Sequence, residues 1–238
     1  MSGVRMLVVG AHSADFVWRA AGALANNHAA GGSSVVVALS FGERGESGEL
    51  WKVPGQTEAR VKDARRAEAQ QAADIVGAEL VCLDLGDYPL VVDDTGLEGL
   101  LRVVRDLRPE VVITHPAADP FNPDHPVAYQ ATCRARLLSS GAGVASAFET
   151  VPPSQLFVFE PHQPELSGFV PTTFVDITDS FERKRQAMEA MAAQKYLQQY
   201  YAERAGHRGN HARKVTGNSE IRYAEAFQRV TPQVVSGL

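Results

Sequence analysis

The chain has 238 residues, with 28 acidic against 23 basic side chains and a formal net charge of −5. That balance excludes the concentrated basic face on which nucleic-acid or membrane-surface binding depends, and it favours small-molecule partners. With 45% hydrophobic residues and no break in composition, residues 1–238 are expected to bury one large core as a single domain. Cys82 and Cys133 stand far apart without metal-ligand spacing and read as packing residues of a protein from a reducing compartment. No signal peptide and no apolar run of about 18 residues is present, so a cytoplasmic location is expected.

The first strand is the apolar, β-branched run from Leu7 to Gly10, which leaves His12 and Asp15 on the loop at its C-terminal end. A helix from Phe16 to Ala29 ends at Gly31 and Gly32, and a second strand runs from Ser33 to Leu39. The glycine-rich, charged stretch from Ser40 to Glu49 follows directly, at the edge where open α/β sheets bind ligands. An amphipathic helix from Thr57 to Val76 carries Arg65, Arg66 and Glu68, stops at Gly77 and leads into a strand from Glu79 to Leu85. A helix from Gly96 to Leu107 is stopped by Pro109. The strand from Glu110 to Thr114 then empties into a loop bearing His115, Asp119, Asn122, Asp124 and His125.

A helix from Pro126 to Ser139 comes next, followed by a loop to Pro153 and a strand from Gln155 to Glu160 that ends in Pro161-His162-Gln163-Pro164. After a short strand from Thr173 to Ile177, the pattern predicts one long helix from Phe181 to about Ala205. Its apolar stripe, with Met188, Met191, Tyr196, Tyr200 and Tyr201, reads as core or as a contact in a homo-oligomer. The tail to Arg222 holds His207, Arg208, His211, Arg213 and Lys214, a basic cluster able to close over an anion or simply to be solvated. Strands alternating with helices predict an α/β fold, a mostly parallel sheet flanked by helices, with the polar loops gathered at the C-terminal strand ends.

Imidazole and carboxylate groups on neighbouring strand ends are the donors a catalytic divalent metal takes, three from the protein with a position left open. His12, Asp15 and His125 offer that set, H-x-x-D after one strand and a histidine after another. The competing reading has His12 and Asp15 capping the following helix and His125 satisfied within its loop. Zinc is the first choice for two histidines and an aspartate, and iron or manganese suits the same donors.

Ala11-His12-Ser13-Ala14-Asp15 and Asn122-Pro123-Asp124-His125 resemble the paired signatures A-H-P-D-D and H-P-D-H of the LmbE-like, or PIG-L, family of zinc-dependent de-N-acetylases. The resemblance implies a Rossmann-like fold and zinc held by His12, Asp15 and His125. It also exposes two departures. The aspartate that serves as general base in those deacetylases is replaced by Ala14, and the first histidine of the second signature by Asn122, which donates a hydrogen bond but cannot act as an acid near neutral pH.

Three longer runs, A-H-S-A-D-F-V-W-R-A at 11–20, L-S-F-G-E-R-G-E-S at 39–47 and F-E-P-H-Q-P-E at 159–165, resemble the 4-oxalomesaconate hydratase branch of the family. That resemblance implies zinc-dependent addition of water to a carbon–carbon double bond in the breakdown of gallate-type aromatic acids. Such a reaction needs a base for the water, an acid for the carbon and cations for a polycarboxylate substrate. Glu46 is the first candidate for the base with Glu43 beside it as runner-up, and His162 is the candidate acid. Arg19, Arg44, Arg65 and Arg66 are candidates for forked contacts to carboxylates, with Asn122 as a further substrate contact. Asp124 is expected to orient a metal ligand from behind. A surviving de-N-acetylase and a non-catalytic metal- or carboxylate-binding protein are the alternatives.

Overall fold

The structure, a computed structural model, describes residues 2–237. In chain order the elements are β1 (Arg5–Gly10), α1 (Asp15–Ala29), β2 (Ser33–Ala38), α2 (Gly48–Trp51), α3 (Glu58–Val76), β3 (Glu79–Cys82), α4 (Asp94–Leu107) and β4 (Val111–Thr114). They continue with α5 (Asp124–Leu138), β5 (Gln155–Phe159), β6 (Thr173–Asp176), α6 (Phe181–Ala190), α7 (Gln198–Thr216) and β7 (Ala224–Arg229). Two helix starts, those of α3 and α4, follow local chemistry. The Thr57 and Asp93 side chains accept the backbone N–H groups of Arg60 and Gly96, caps worth about 1 kcal/mol each. Gly77 ends α3 at φ 72°, a conformation that suits glycine.

The seven strands lie in the order β3-β2-β1-β4-β5-β7-β6, parallel from β3 to β5 and antiparallel around β7. Alternation along β1 divides the core between the two faces of the sheet. Met6 and Val8 join a cluster with α1, α3 and α6, and Leu7 and Val9 join a cluster with α4 and α5. The chain leaves β1 toward β2 on one side and returns through β4 on the other. The C-terminal ends of β1 and β4 therefore flank the crevice where such sheets bind ligands.

The mostly parallel α/β sheet is as expected, and the C-terminal third corrects the sequence reading. The helix expected from Phe181 to Ala205 is two helices, interrupted by a 3-10 segment over Ala192–Leu197. The stretch read as a tail is the rest of α7, followed by a strand. Two of its arginines are engaged on this chain: Arg208 pairs with Glu160, and Arg213 donates to the Ile221 carbonyl. Strand β7 inserts between β5 and β6, and its Glu225 accepts Lys184 and the backbone N–H groups of Gly22 and Ala23 inside the protein.

The apolar stripe offered to a second subunit is largely used within the chain. Met188, Met191 and Tyr201 are buried in the core, and Tyr201 stacks on Trp18 at 5.5 Å, whereas Tyr196 is exposed. Both cysteines are free, and burial pushes the Cys82 thiol up to about 11, so it packs rather than reacts. Among the described residues no helix is long and apolar enough to cross a membrane.

Candidate active site

The turn from β1 into α1 is tight because Gly10 lacks a Cβ; one built there would lie 2.9 Å from both the Asp15 Cβ and the His12 carbonyl. The Asp15 carboxylate folds back onto the loop and accepts the His12 backbone N–H at 2.8 Å. It also accepts Arg19 Nη1 at 2.6 Å, and His115 Nε2 lies 2.9 Å from its Oδ2. The His12 and Arg19 N–H groups use two of its roughly four lone-pair positions, and the Ala11 N–H also points at the His115 nitrogen, at 3.1 Å. Burial opposes the charge, but His115 and Arg19 outweigh it and hold Asp15 well below the usual carboxylate range.

Two histidines face this carboxylate. His12 Nε2 donates to Asp124 Oδ2 at 3.1 Å and His125 Nδ1 donates to Asp119 Oδ2 at 2.8 Å, so in the neutral form of each ring the other nitrogen carries the lone pair. Those free atoms, His12 Nδ1 and His125 Nε2, are buried and have no hydrogen-bond partner. They stand 3.6 and 3.7 Å from the Asp15 oxygens, too far for hydrogen bonds. His12, Asp15 and His125 each offer one ligand atom, all within 4.8 Å of one another, a group that an ion with ligands at about 2.0–2.1 Å draws together. The donors present therefore fit a divalent metal.

The local field agrees. Burial works against a positive charge at His12, yet Glu46, Asp124 and Asp15 raise its proton affinity well above that of an ordinary histidine. The same carboxylates attract a cation. Burial and the neighbouring His115 push His125 down to about 3, so its lone pair stays free of a proton at neutral pH. A second group, His12, Asp87 and Asp124, also brings ligand atoms together. Asp87 there accepts the Arg44 and Gly45 N–H groups and Asp124 those of Tyr88 and Leu90, whereas the first group holds the unpartnered ring nitrogens, His12 Nδ1 and His125 Nε2.

Glu46 reaches the first group from the glycine-rich loop. Ser13 Oγ donates to the Phe41 carbonyl at 2.9 Å and Ser47 Oγ to the Gly42 carbonyl at 2.7 Å, while Asp87 grips the next two N–H groups. Gly42 turns the chain at φ 71°, where a side chain would be strained and would press on Glu46 and His12. Glu46 Oε1 lies 3.5 Å from His12 Nδ1 and accepts Asn122 Nδ2 at 2.9 Å. Its Oε2 accepts Gln194 Nε2 at 2.9 Å.

A cavity of about 230 Å³ opens beside these groups, with Arg19, Glu46, Asn122, His125, His162 and Gln194 in its wall and Trp18, Tyr88, Phe121 and Tyr201 around them. His162 stacks on Tyr200 at 4.3 Å, and its loop is clamped from α7, where Arg204 donates to the carbonyls of Pro161 and His162. Burial, Arg19 and Arg204 all lower its proton affinity below the ordinary histidine value. Arg19 also faces the Phe159 and Tyr201 rings, each 5.9 Å away, and its Nε has no partner.

Four sequence-based assignments are corrected. Arg65 is fully buried and spends its guanidinium on the Phe41 carbonyl, Glu68 and Gln194. Arg44 pairs with Glu58 at 3.2 Å and donates to the Asp87 carbonyl, outside the cavity wall. Arg66 is exposed and lies 4.9 Å over the Phe41 ring, also outside it. Glu43 turns toward Lys62 at 3.5 Å and accepts the Phe41 N–H, with burial pushing its carboxyl up. Asn122 lines the cavity but bonds to Glu46. Sequence reading named His115 on its loop without a role and passed over Gln194, a polar residue inside an apparently helical run.

Residues 7–136 match the family model described as PIG-L: GlcNAc-PI de-N-acetylase, and the chain belongs to the PIG-L family. The 4-oxalmesaconate hydratase of Pseudomonas putida KT2440 is 45% identical over 98% of this chain and 91% of that protein. The crystal structure of GalB, the 4-carboxy-2-hydroxymuconate hydratase from the same strain, is similar with a TM-score of 0.95 at 44% identity, covering 100% of both chains. The N,N′-diacetylchitobiose deacetylase of Pyrococcus horikoshii shares the fold, with a TM-score of 0.78 at 19% identity over 94% of this chain and 83% of that one.

Proposed function

We propose that this chain is a metal-dependent hydratase that adds water across the carbon–carbon double bond of 4-oxalomesaconate to give 4-carboxy-4-hydroxy-2-oxoadipate. The observation that carries the reading is an exchange of groups at one metal site. Position 14, the place of the deacetylase base, is a buried alanine, and Glu46 stands 3.5 Å from the metal-facing nitrogen of His12. The two hydratase names found among its relatives refer to the keto and enol tautomers of one tricarboxylate.

His12, Asp15 and His125 would hold the ion, with zinc as the first choice and iron or manganese suited to the same donors. When bound, it supplies Lewis acidity to the oxygen it meets. Arg19, charged and facing the cavity, pairs with a substrate carboxylate. Glu46 takes one proton from water as the hydroxyl joins the carbon that bears the middle carboxylate. His162 gives a proton to the adjoining carbon, so that one water is consumed and no other atom leaves. The free imidazole is depleted of protons at neutral pH, and a polycarboxylate beside it raises its proton affinity, so the acid is charged as substrate binds. A role in gallate-type aromatic acid breakdown and a cytoplasmic location follow from this reading.

The test is loss of the conjugated absorbance of 4-oxalomesaconate, with and without a chelator, beside an amine-release assay on N-acetylglucosamine conjugates. Chelator-sensitive loss without amine release is expected. Amine release without hydration would return the chain to the deacetylases despite Ala14 and Asn122. Within the hydratase, Glu46→Gln is expected to lower turnover by about a hundredfold with metal retained, and near-normal turnover would remove Glu46 from the mechanism.

A further inference from the structure

The C-terminal helical region breaks beside the cavity. The backbone leaves helical geometry at Met191 (φ −84°, ψ 69°) and again at Gln194 (φ −129°, ψ 34°), with no glycine or proline to cause it. Helix α3 holds the break from the other side. Arg65 Nη1 and Glu68 Oε2 pair at 2.9 Å, and Glu68 Oε1 accepts the Ala193 backbone N–H at 2.9 Å. Arg65 Nη2 donates to the side-chain oxygen of Gln194 at 3.0 Å, and Trp18 Nε1 donates to the same oxygen at 3.4 Å.

A buried amide that receives two donors on its oxygen has one orientation available. Its Nε2 therefore points the other way, to Glu46 Oε2. Asn122 is fixed by the same logic: its Oδ1 accepts the Asp124 N–H at 3.1 Å, which leaves Nδ2 to donate to Glu46 Oε1. Each oxygen of Glu46 thus receives one amide N–H from a side chain that cannot flip without breaking its other bonds. The lone pairs that remain are aimed by the protein before substrate arrives.

We infer that Gln194 is a positioning residue for Glu46, and that the buried Arg65 sets it: the series Arg65, Gln194, Glu46 directs the proton acceptor of the hydration step into the cavity. The guanidinium polarises the amide and so strengthens the N–H it turns toward Glu46. This rests on the hydratase reading above, and it gives the buried arginine of α3 a role in the reaction without contact with substrate.

Two substitutions test it. Gln194→Glu keeps the shape and the acceptor for Arg65 but sets an acceptor against Glu46, and Gln194→Met keeps the bulk and removes both bonds. Each is expected to lower kcat by about ten- to a hundredfold while KM moves less than about threefold, with metal content and circular dichroism unchanged. In a Glu46→Gln background the same substitutions lower the residual kcat by no more than about twofold, because the group they aim is gone. Equal losses in both backgrounds overturn the inference, as does wild-type kcat in Gln194→Glu. Near-normal turnover of Glu46→Gln alone overturns the assignment of Glu46 itself, which separates failure of that reading from failure of this one.

Discussion

The two sides of the cavity are built by different means. On one side His12 and Asp15 sit at the end of β1 and His125 opens α5 just past β4, and each imidazole is braced by a carboxylate, Asp124 behind His12 and Asp119 behind His125. On the other side Glu46, Gln194 and His162 stand on loops and in a helix break, held by amides, serine hydroxyls and two arginines of the helices. The first side rests on adjacent parallel strands and suits one task, holding a cation. The second is a set of exchangeable side chains around it. Such a division lets a family keep its metal donors while the groups around them change; in the reading proposed above the exchanged groups are Ala14 within the ligand loop and Asn122 and Glu46 across from it.

The hardest test of that division is to break each side separately. His125→Ala removes a donor from a rigid set of three and should abolish tight metal binding, and with it turnover. Metal content measured after dialysis checks this. A full equivalent retained by the variant would refute the ligand assignment, and loss of metal from Glu46→Gln would erase the boundary between the two sides.

The same division explains what the sequence made legible. His12 and Asp15 are three residues apart on one loop and follow a recognisable strand, so a local spacing carries them. The β1 to β5 rhythm reads in the same way, since each buried parallel strand is an apolar run stopped by a turn residue. Strand β7 hides because its buried face includes Glu225, whose charge is matched by Lys184 from α6, a pairing that no window of neighbouring residues contains. Gln194 hides for a like reason: it is 148 positions from Glu46, and nothing local distinguishes it from a solvated helix residue. The places of Arg44, Arg65 and Arg66 are not legible because a guanidinium is as suited to carbonyls and glutamates as to a substrate, and burial decides between them for Arg65.

A smaller effect is expected from the second side's proton balance. Burial, Arg19 and Arg204 lower the proton affinity of His162, so its imidazolium is the form the free enzyme disfavours. If the imidazolium is the acid, kcat/KM falls as pH rises through a value below the ordinary histidine figure of about 6.5. In the substrate complex the bound carboxylates push the other way, and the corresponding limb of kcat lies at higher pH. Profiles of both constants, with His162→Gln as control, check the sign. A kcat/KM limb above that figure, or one that survives in His162→Gln, would take the acid role from His162.

The smallest effects should come from the arginines that the fold turned away from the cavity. Arg44 faces Glu58 across the surface, with side-chain exposures of 45% and 42%, and the exposed Arg66 lies over the Phe41 ring. Exposed pairs of this kind are weakened by water and salt. Arg44→Gln and Arg66→Gln should therefore leave both KM and kcat within about twofold of the parent. Arg19→Lys, by contrast, replaces a planar fork between Asp15 and the cavity with a single ammonium and should raise KM. A steady-state comparison of the three variants decides the matter: a tenfold rise in KM for Arg44→Gln or Arg66→Gln would mean that the loop from Ser40 to Glu49 or helix α3 reaches the substrate in a closed form of the enzyme, and the second side would have to be redrawn to include it.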